Sequence, residues 1–142
     1  MAEMIAVEQG SMGRVAYARI APNEDLVQGV EKVCLAEGFR NAFVRGALGS
    51  LVDSCLGTID GKYLQIKGPA VEIVSLAGEV RSDEDGSLRA ALTGVVADTE
   101  GNVYGGPFPC IGGGRSLAVA PARPRGSCPE HDGRLALQAI NH

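Results

Sequence analysis

Several short stretches of the chain carry residue types that could do chemistry. Cys128-Pro129-Glu130-His131 places a thiol, a carboxylate and an imidazole within four positions, the makings of a nucleophile and its base. Prolines at 121, 124 and 129 argue for a loop that holds no attack geometry, so no catalytic residue is assigned there. Gly112-Gly113-Gly114-Arg115-Ser116 offers backbone N–H groups and a guanidinium to an anion. It lacks the G-x-x-x-x-G-K-[ST] pattern, and no helix signal follows, so it reads as a loop. Asp83-Glu84-Asp85-Gly86 echoes a calcium loop, but Arg81 stands where another acid is required and no distal Glu follows. A solvated hairpin turn is the expectation. Glu72 lies inside the apolar run AVEIVSLAGEV. Turned inward it needs a partner, with Arg45 and Arg89 as candidates; turned outward it is structural. Asp98 is expected to cap its own turn. Gly105-Gly106 is expected to supply unusual backbone angles or a close approach.

These residues must be positioned by elements that the pattern outlines. Arg14–Ile20 alternates, with Val15, Tyr17 and Arg19 on one face and Arg14, Ala16, Ala18 and Ile20 on the other, as a strand does. Leu26, Val30, Val33 and Cys34 recur at helical spacing, with Asn23 as N-cap and Gly38 beyond the end, which predicts a helix over 24–37. Strands are predicted at Asn41–Arg45, Leu51–Ile59, Tyr63–Ile66, Ala70–Val80, Leu88–Ala97 and Asn102–Tyr104, with another at Ser116–Ala120. Asp60-Gly61 is a hairpin signal for a type I′ turn. Leu135–Ile140 is expected to dock as a short terminal element. Many short strands, one early helix and no strand–helix alternation describe an α+β domain with a largely antiparallel sheet.

The chain's 142 residues make one domain. The divisions expected are an N-terminal extension at 1–13, the domain at 14–120, and a Pro/Arg-containing, partly disordered tail at 121–142. The net charge is −4, which disfavours a surface built to coat duplex DNA. The charge is uneven, because Arg115, Arg123, Arg125 and Arg134 leave the last stretch basic. Six aromatic residues and no Trp offer few platforms for stacking single-stranded bases. No apolar stretch is long enough to span a membrane, and the start lacks a signal peptide's basic and apolar regions. The four cysteines show neither C-x-x-C nor zinc-finger spacing, and Cys34 and Cys55 read as buried apolar side chains in a reducing, cytoplasmic compartment.

The APNEDL helix start, AFVRGALGS, Glu72 to Gly78 (EIVSLAG), and Ala97-Asp98 through Gly101 into Gly105-Gly106 occur in an order that resembles the plants-and-prokaryotes-conserved (PPC) domain family. The resemblance runs from about Arg14 to Val119. It implies a compact antiparallel sheet flanked by a few helices, assembled as a homotrimer, with Gly105-Gly106 bordering a pocket. It also implies a link to DNA, which plant members make after an AT-hook; this chain resembles the bare prokaryotic type and has no R-G-R-P-like hook. Many prokaryotic members carry H-x-H and then G-G-H, imidazoles suited to a metal. Those positions are Ala91, Thr93 and Pro107 here, so no metal and no cofactor is expected.

Two functions follow as expectations. The first is a non-enzymatic, trimeric PPC-type module, DNA-associated or regulatory, with at most weak direct DNA contact through Arg115, Arg123 and Arg125. The second is a small-molecule binder or metal-independent enzyme that uses an inter-subunit cleft, with Arg45, Glu72, Arg89, Gly105 and Gly106 as ligand-binding candidates. The expected partners are a second and third copy of the chain, DNA or a regulatory protein, or an unknown small molecule, and no membrane.

Overall fold

The computed structural model describes residues 5–7, 9–21, 24–58, 60–68 and 70–109, and the backbone of 134–141. The elements in chain order are β1 (Ser11–Arg19), α1 (Leu26–Glu37), β2 (Ala42–Leu48), β3 (Ser50–Leu51), β4 (Ser54–Gly57), β5 (Tyr63–Ile66), β6 (Val71–Ser82), β7 (Leu88–Ala97), β8 (Val103–Pro107) and β9 (Arg134–Asn141). The main sheet runs β1-β9-β2-β6-β7-β8, with β3 also paired to β6, and every ladder is antiparallel. β4 and β5 form a separate hairpin. The α+β fold with a largely antiparallel sheet is therefore as the sequence pattern describes, with one helix among the described residues where the family resemblance implied a few. Arg134–Asn141, inside the stretch read as a tail, lies between β1 and β2. The strand expected at Ser116–Ala120 lies outside the described residues.

The sheet has one closed face. Val30, Val27 and Cys34 of α1 pack onto Ala42, Val44, Leu76, Val80, Ala90 and Leu92 in a single buried cluster, the strongest stabilising term available to a domain of this size. The helix begins at Leu26, later than its periodicity predicts. Asp25 is the N-cap, its carboxylate accepting from the Gln28 N–H at 2.9 Å, while Glu24 pairs instead with Lys32 at 2.9 Å. Asn23, the expected cap, lies outside the described residues. Gly38 closes the helix in the left-handed conformation at φ 73°.

No basic residue stands in the helix's last turn. Arg14 of β1 supplies that charge from outside, donating to the Glu37 carbonyl at 2.6 Å with its guanidinium 4.6 Å above the Phe39 ring. Arg14→Ala is expected to cost about 1–2 kcal/mol in a urea melt. Arg14→Lys should recover only part of that, because an ammonium lacks the planar fork. On the opposite side of α1, Glu31 accepts the Ala90 N–H at 3.0 Å and ties the helix to β7.

Two departures from the pattern have local causes. The predicted strand at 51–59 breaks at Val52-Asp53, where Asp53 turns to accept the Gly68 N–H at 2.8 Å and the chain leaves the main sheet for the β4–β5 hairpin. The Asp60-Gly61 turn is a three-residue loop, not type I′. Gly61 is left-handed, at φ 79°, and Asp60 is not; the Gly61 N–H donates to the Thr58 carbonyl, and the Thr58 N–H donates to the Lys62 carbonyl. The same loop recurs at Asp83–Ser87, with Gly86 at φ 85°, and at Asp98–Asn102, with Gly101 at φ 84°. It is a type I turn followed by a glycine bulge.

Each of these loops holds an aspartate whose carboxyl sits below its ordinary value of 3.8. The Thr58 hydroxyl does this for Asp60 and the Ser87 hydroxyl for Asp85. At Asp98 desolvation pushes upward and is outweighed by hydrogen bonds from the Asn102 side chain and backbone, the Glu100 N–H and the Tyr104 hydroxyl. A carboxyl with a depressed folded value stabilises the fold above its unfolded value, and that contribution fades as pH falls through the folded value. Thermal melts should therefore show stability falling on acidification below 3.8, with Asp98→Asn losing part of that slope. Asp98 thus caps its turn, as expected from its position.

Candidate functional site

Alternation along the strands leaves the other face of the sheet uncovered by any described element. On β1, Ala16 and Ala18 pack toward the core, while Val15 and Tyr17 stand outward, 59% and 80% exposed. The register aligns outward residues into rows across strands. One row joins Phe43 to Glu79 and Ala91. The next joins Ala77, Thr93 and Pro107.

Between β2 and β6 the face opens into a cleft of about 620 Å³ lined by Phe43, Val44, Arg45, Ala77, Gly78 and Glu79. It lies over the last paired residues of the β2–β6 ladder, Phe43–Glu79 and Val44–Gly78, with Arg45 and Ala77 just beyond them. The β2–β6 ladder stops at Val44–Gly78, and pairing to β6 resumes only where the Ile73 N–H donates to Gly49 and Ser50 pairs with Glu72. Glu79 is held by Arg81, Nε to Oε1 at 3.1 Å. Arg45 makes no ion pair or hydrogen bond among the described residues.

The candidate residues named from the sequence are spread across this framework. Arg45 lines the cleft. Glu72 is on the outward face, opposite Ala97, and its carboxylate accepts from the Ser50 hydroxyl at 2.6 Å. Neither arginine considered as its partner is bonded to it: Arg89 is at the far end of the β6–β7 ladder, opposite Arg81, and pairs with Asp83 at 2.9 Å. Gly105 lies opposite Val95 on β8. Gly106 makes the close approach, because a Cβ there would lie 2.6 Å from the Gly57 carbonyl oxygen of β4. Neither glycine has a positive φ. Arg115, Arg123, Arg125, the 112–116 loop and the 128–131 stretch lie outside the described residues.

Phe43, Ala77, Gly78 and Glu79 were not singled out from the sequence. The alternation of Ala42–Arg45 could have placed Phe43 beside Arg45, but the register that adds Gly78 and Glu79 joins residues about 35 positions apart and has no local signature.

The two described thiols are poor nucleophiles. Cys34 is fully buried, and burial first, then the nearby Glu31 carboxylate, pushes it up to about 11. Burial also raises Cys55. Both behave as the apolar side chains anticipated. The metal positions implied by the resemblance do converge: Thr93 faces Pro107 across the β7–β8 ladder, and Ala91 stands two residues away on the same face. One hydroxyl, a methyl and a proline ring do not make a ligand set for a transition metal. Among the described residues, no group of three His, Cys, Asp or Glu side chains comes together to hold one.

Comparison with known proteins follows the fold. Solved structures with the same architecture include a plant- and prokaryote-conserved (PPC) protein of Pyrococcus horikoshii, 19% identical with a TM-score of 0.72 over 97% of this chain and 86% of that one. A metal-containing protein of Archaeoglobus fulgidus is 20% identical, with a TM-score of 0.70 over 96% and 86%. A candidate DNA-binding protein of Bacteroides thetaiotaomicron is 13% identical, with a TM-score of 0.60 over 95% and 85%. No curated protein matches the chain. Residues 7–120 match the pattern of the Plants and Prokaryotes Conserved (PCC) domain. The stretch covers most of the chain and contains the EIVSLAG strand, the Asp98 turn and the Gly105-Gly106 pair, and it places this protein in the plants-and-prokaryotes-conserved domain family.

Proposed function

We propose that this chain is a non-enzymatic assembly module, a homotrimer that associates through the outward face of its sheet and serves in a DNA-associated or regulatory setting. The observation that carries the reading is that face. Val15 and Tyr17 on β1, and Val103 on β8 at 63% exposure, are apolar side chains standing in solvent on a sheet whose other face is sealed. A sheet with one free face normally alternates polar residues outward, whereas this one leaves large apolar side chains exposed at both edges, on β1 and on β8. A solved structure of this fold, described as a candidate DNA-binding protein, supports the DNA-associated setting.

Direct DNA contact is weak in this reading. Lys32, Lys62, Arg81 and Arg89 each face a carboxylate, and Arg14 a helix terminus, so few of the described cations are left for phosphates. No described helix is long and apolar enough to cross a membrane. A cytoplasmic, reducing compartment belongs to the same proposal, since Cys34 and Cys55 are buried among apolar side chains.

Light scattering at micromolar concentration is expected to give three times the chain mass, and Tyr17→Glu should reduce it to the monomer. A monomeric wild-type protein overturns the assembly. Duplex titrations should show binding at low salt that is lost at physiological salt; binding that persists overturns the weak-contact reading. The cleft at Arg45 favours a second reading, that of a small-molecule binder.

A further inference from the structure

We infer that the cleft over the last paired residues of β2 and β6 is a binding site for a small monoanionic carboxylate with an apolar, preferably aromatic, body, anchored by Arg45. Its build is local. The β2–β6 ladder ends at Val44–Gly78, which puts Arg45 and Ala77 just past the last pair. The β2–β9 ladder shifts register between Val44 and Gly46, which makes Arg45 the bulged residue. A bulge re-aims one side chain and recurs beside functional sites. Ala77, exposed beside Arg45, adds only a methyl, and the cleft of about 620 Å³ is the size of a small-molecule pocket.

The lining selects the ligand. The Arg45 guanidinium has no partner among the described residues, and a planar fork of donors matches a carboxylate bidentately. Phe43, 38% exposed at the rim, offers a ring to an apolar body. Glu79 shares the cleft. It is paired with Arg81 at 3.1 Å, which leaves the single guanidinium of Arg45 to match one negative charge on the ligand. A ligand with one planar charge and an apolar remainder is what these groups have in common.

Benzoate and its neutral isostere benzamide test this on the isotope-labelled full chain, by amide chemical shifts at constant ionic strength. Benzoate at millimolar concentration should give saturable shifts at residues 43–46 and 77–79, benzamide should give none, and Arg45→Gln should weaken benzoate at least about tenfold. If Arg45→Gln does not fold, Arg45→Lys takes its place, keeping the charge but losing the fork, and should also bind more weakly. Equal binding of benzamide, wild-type affinity in the Arg45 variant, or no saturable shift at the cleft overturns the site. The cleft shares the sheet face assigned to the trimer contact, so the titration is repeated on the Tyr17→Glu monomer; shifts there with a monomeric wild type, or a wild-type trimer with no shifts there, let either proposal fail alone.

Discussion

Gly78→Ala is expected to lower the stability of the fold by about 3 kcal/mol, or roughly 10 °C in melting temperature for a domain of this size. The position combines two restraints. Its φ of 153° lies in a region that L side chains seldom adopt. A Cβ built there would also overlap the Ala91 carbonyl oxygen and come within 2.9 Å of the Leu92 Cα, both backbone atoms of the neighbouring strand. Backbone cannot swing away as a flexible side chain does, so β6 and β7 would have to separate at the centre of their ladder. Gly46 is the control. A Cβ there meets nothing within 4 Å and φ is not positive, so Gly46→Ala should be nearly neutral. Denaturant melts of the two variants decide the matter. Equal, small effects at both positions would mean that the close contact of β6 with β7 is not required.

That glycine also shows where reading the sequence stops. The run AVEIVSLAGEV identifies its segment as a strand because β-branched and apolar residues dominate it, and Leu88–Ala97 was bounded correctly by the Asp-Gly and Asp98 turns on either side. Local chemistry sufficed for these, and for Gly38 and Asp98, whose roles depend on neighbours within four residues. Gly78 within the strand could only be read as a weakness or a close approach, since what it approaches is set by register with residues 91 and 92. The pairing of Glu72 failed for the same reason. Arg45 and Arg89 were named by charge alone, and the carboxylate went to Ser50, which the short strand β3 carries back to β6 after β2 has left it. Candidate side chains were therefore legible as types, while the grouping of Arg45 with Phe43 and Glu79 in one cleft depended on the β2–β6 register, which no window of sequence contains.

Replacing Ala91, Thr93 and Pro107 together by histidine is expected to create a metal site at three positions that carry no imidazole in the wild-type chain. The case rests on register. Thr93 and Pro107 are direct partners on β7 and β8, and Ala91 is two residues from Thr93 on the same outward face. Side chains so related lie about 5–7 Å apart at their Cβ atoms, a spacing that lets three imidazoles converge on one tetrahedral ion and leave a position open. Ala91 and Thr93 are exposed and on the face away from the core, so histidine there displaces no buried side chain. Pro107 ends an edge strand, where regaining an N–H disturbs no central ladder. Cobalt(II) reports the outcome through the visible absorption of its tetrahedral complex. The variant should take up one equivalent at micromolar concentration, and zinc(II) should displace it. The wild-type chain should remain colourless, since a methyl, a hydroxyl and a pyrrolidine ring present no imidazole or thiolate. A stoichiometric cobalt spectrum from the wild-type protein would mean that other residues hold a metal and that the assembly module is not metal-free. A colourless triple variant would mean that the three positions do not converge, and the correspondence between this chain and the histidine-bearing members of its family would fail at that point.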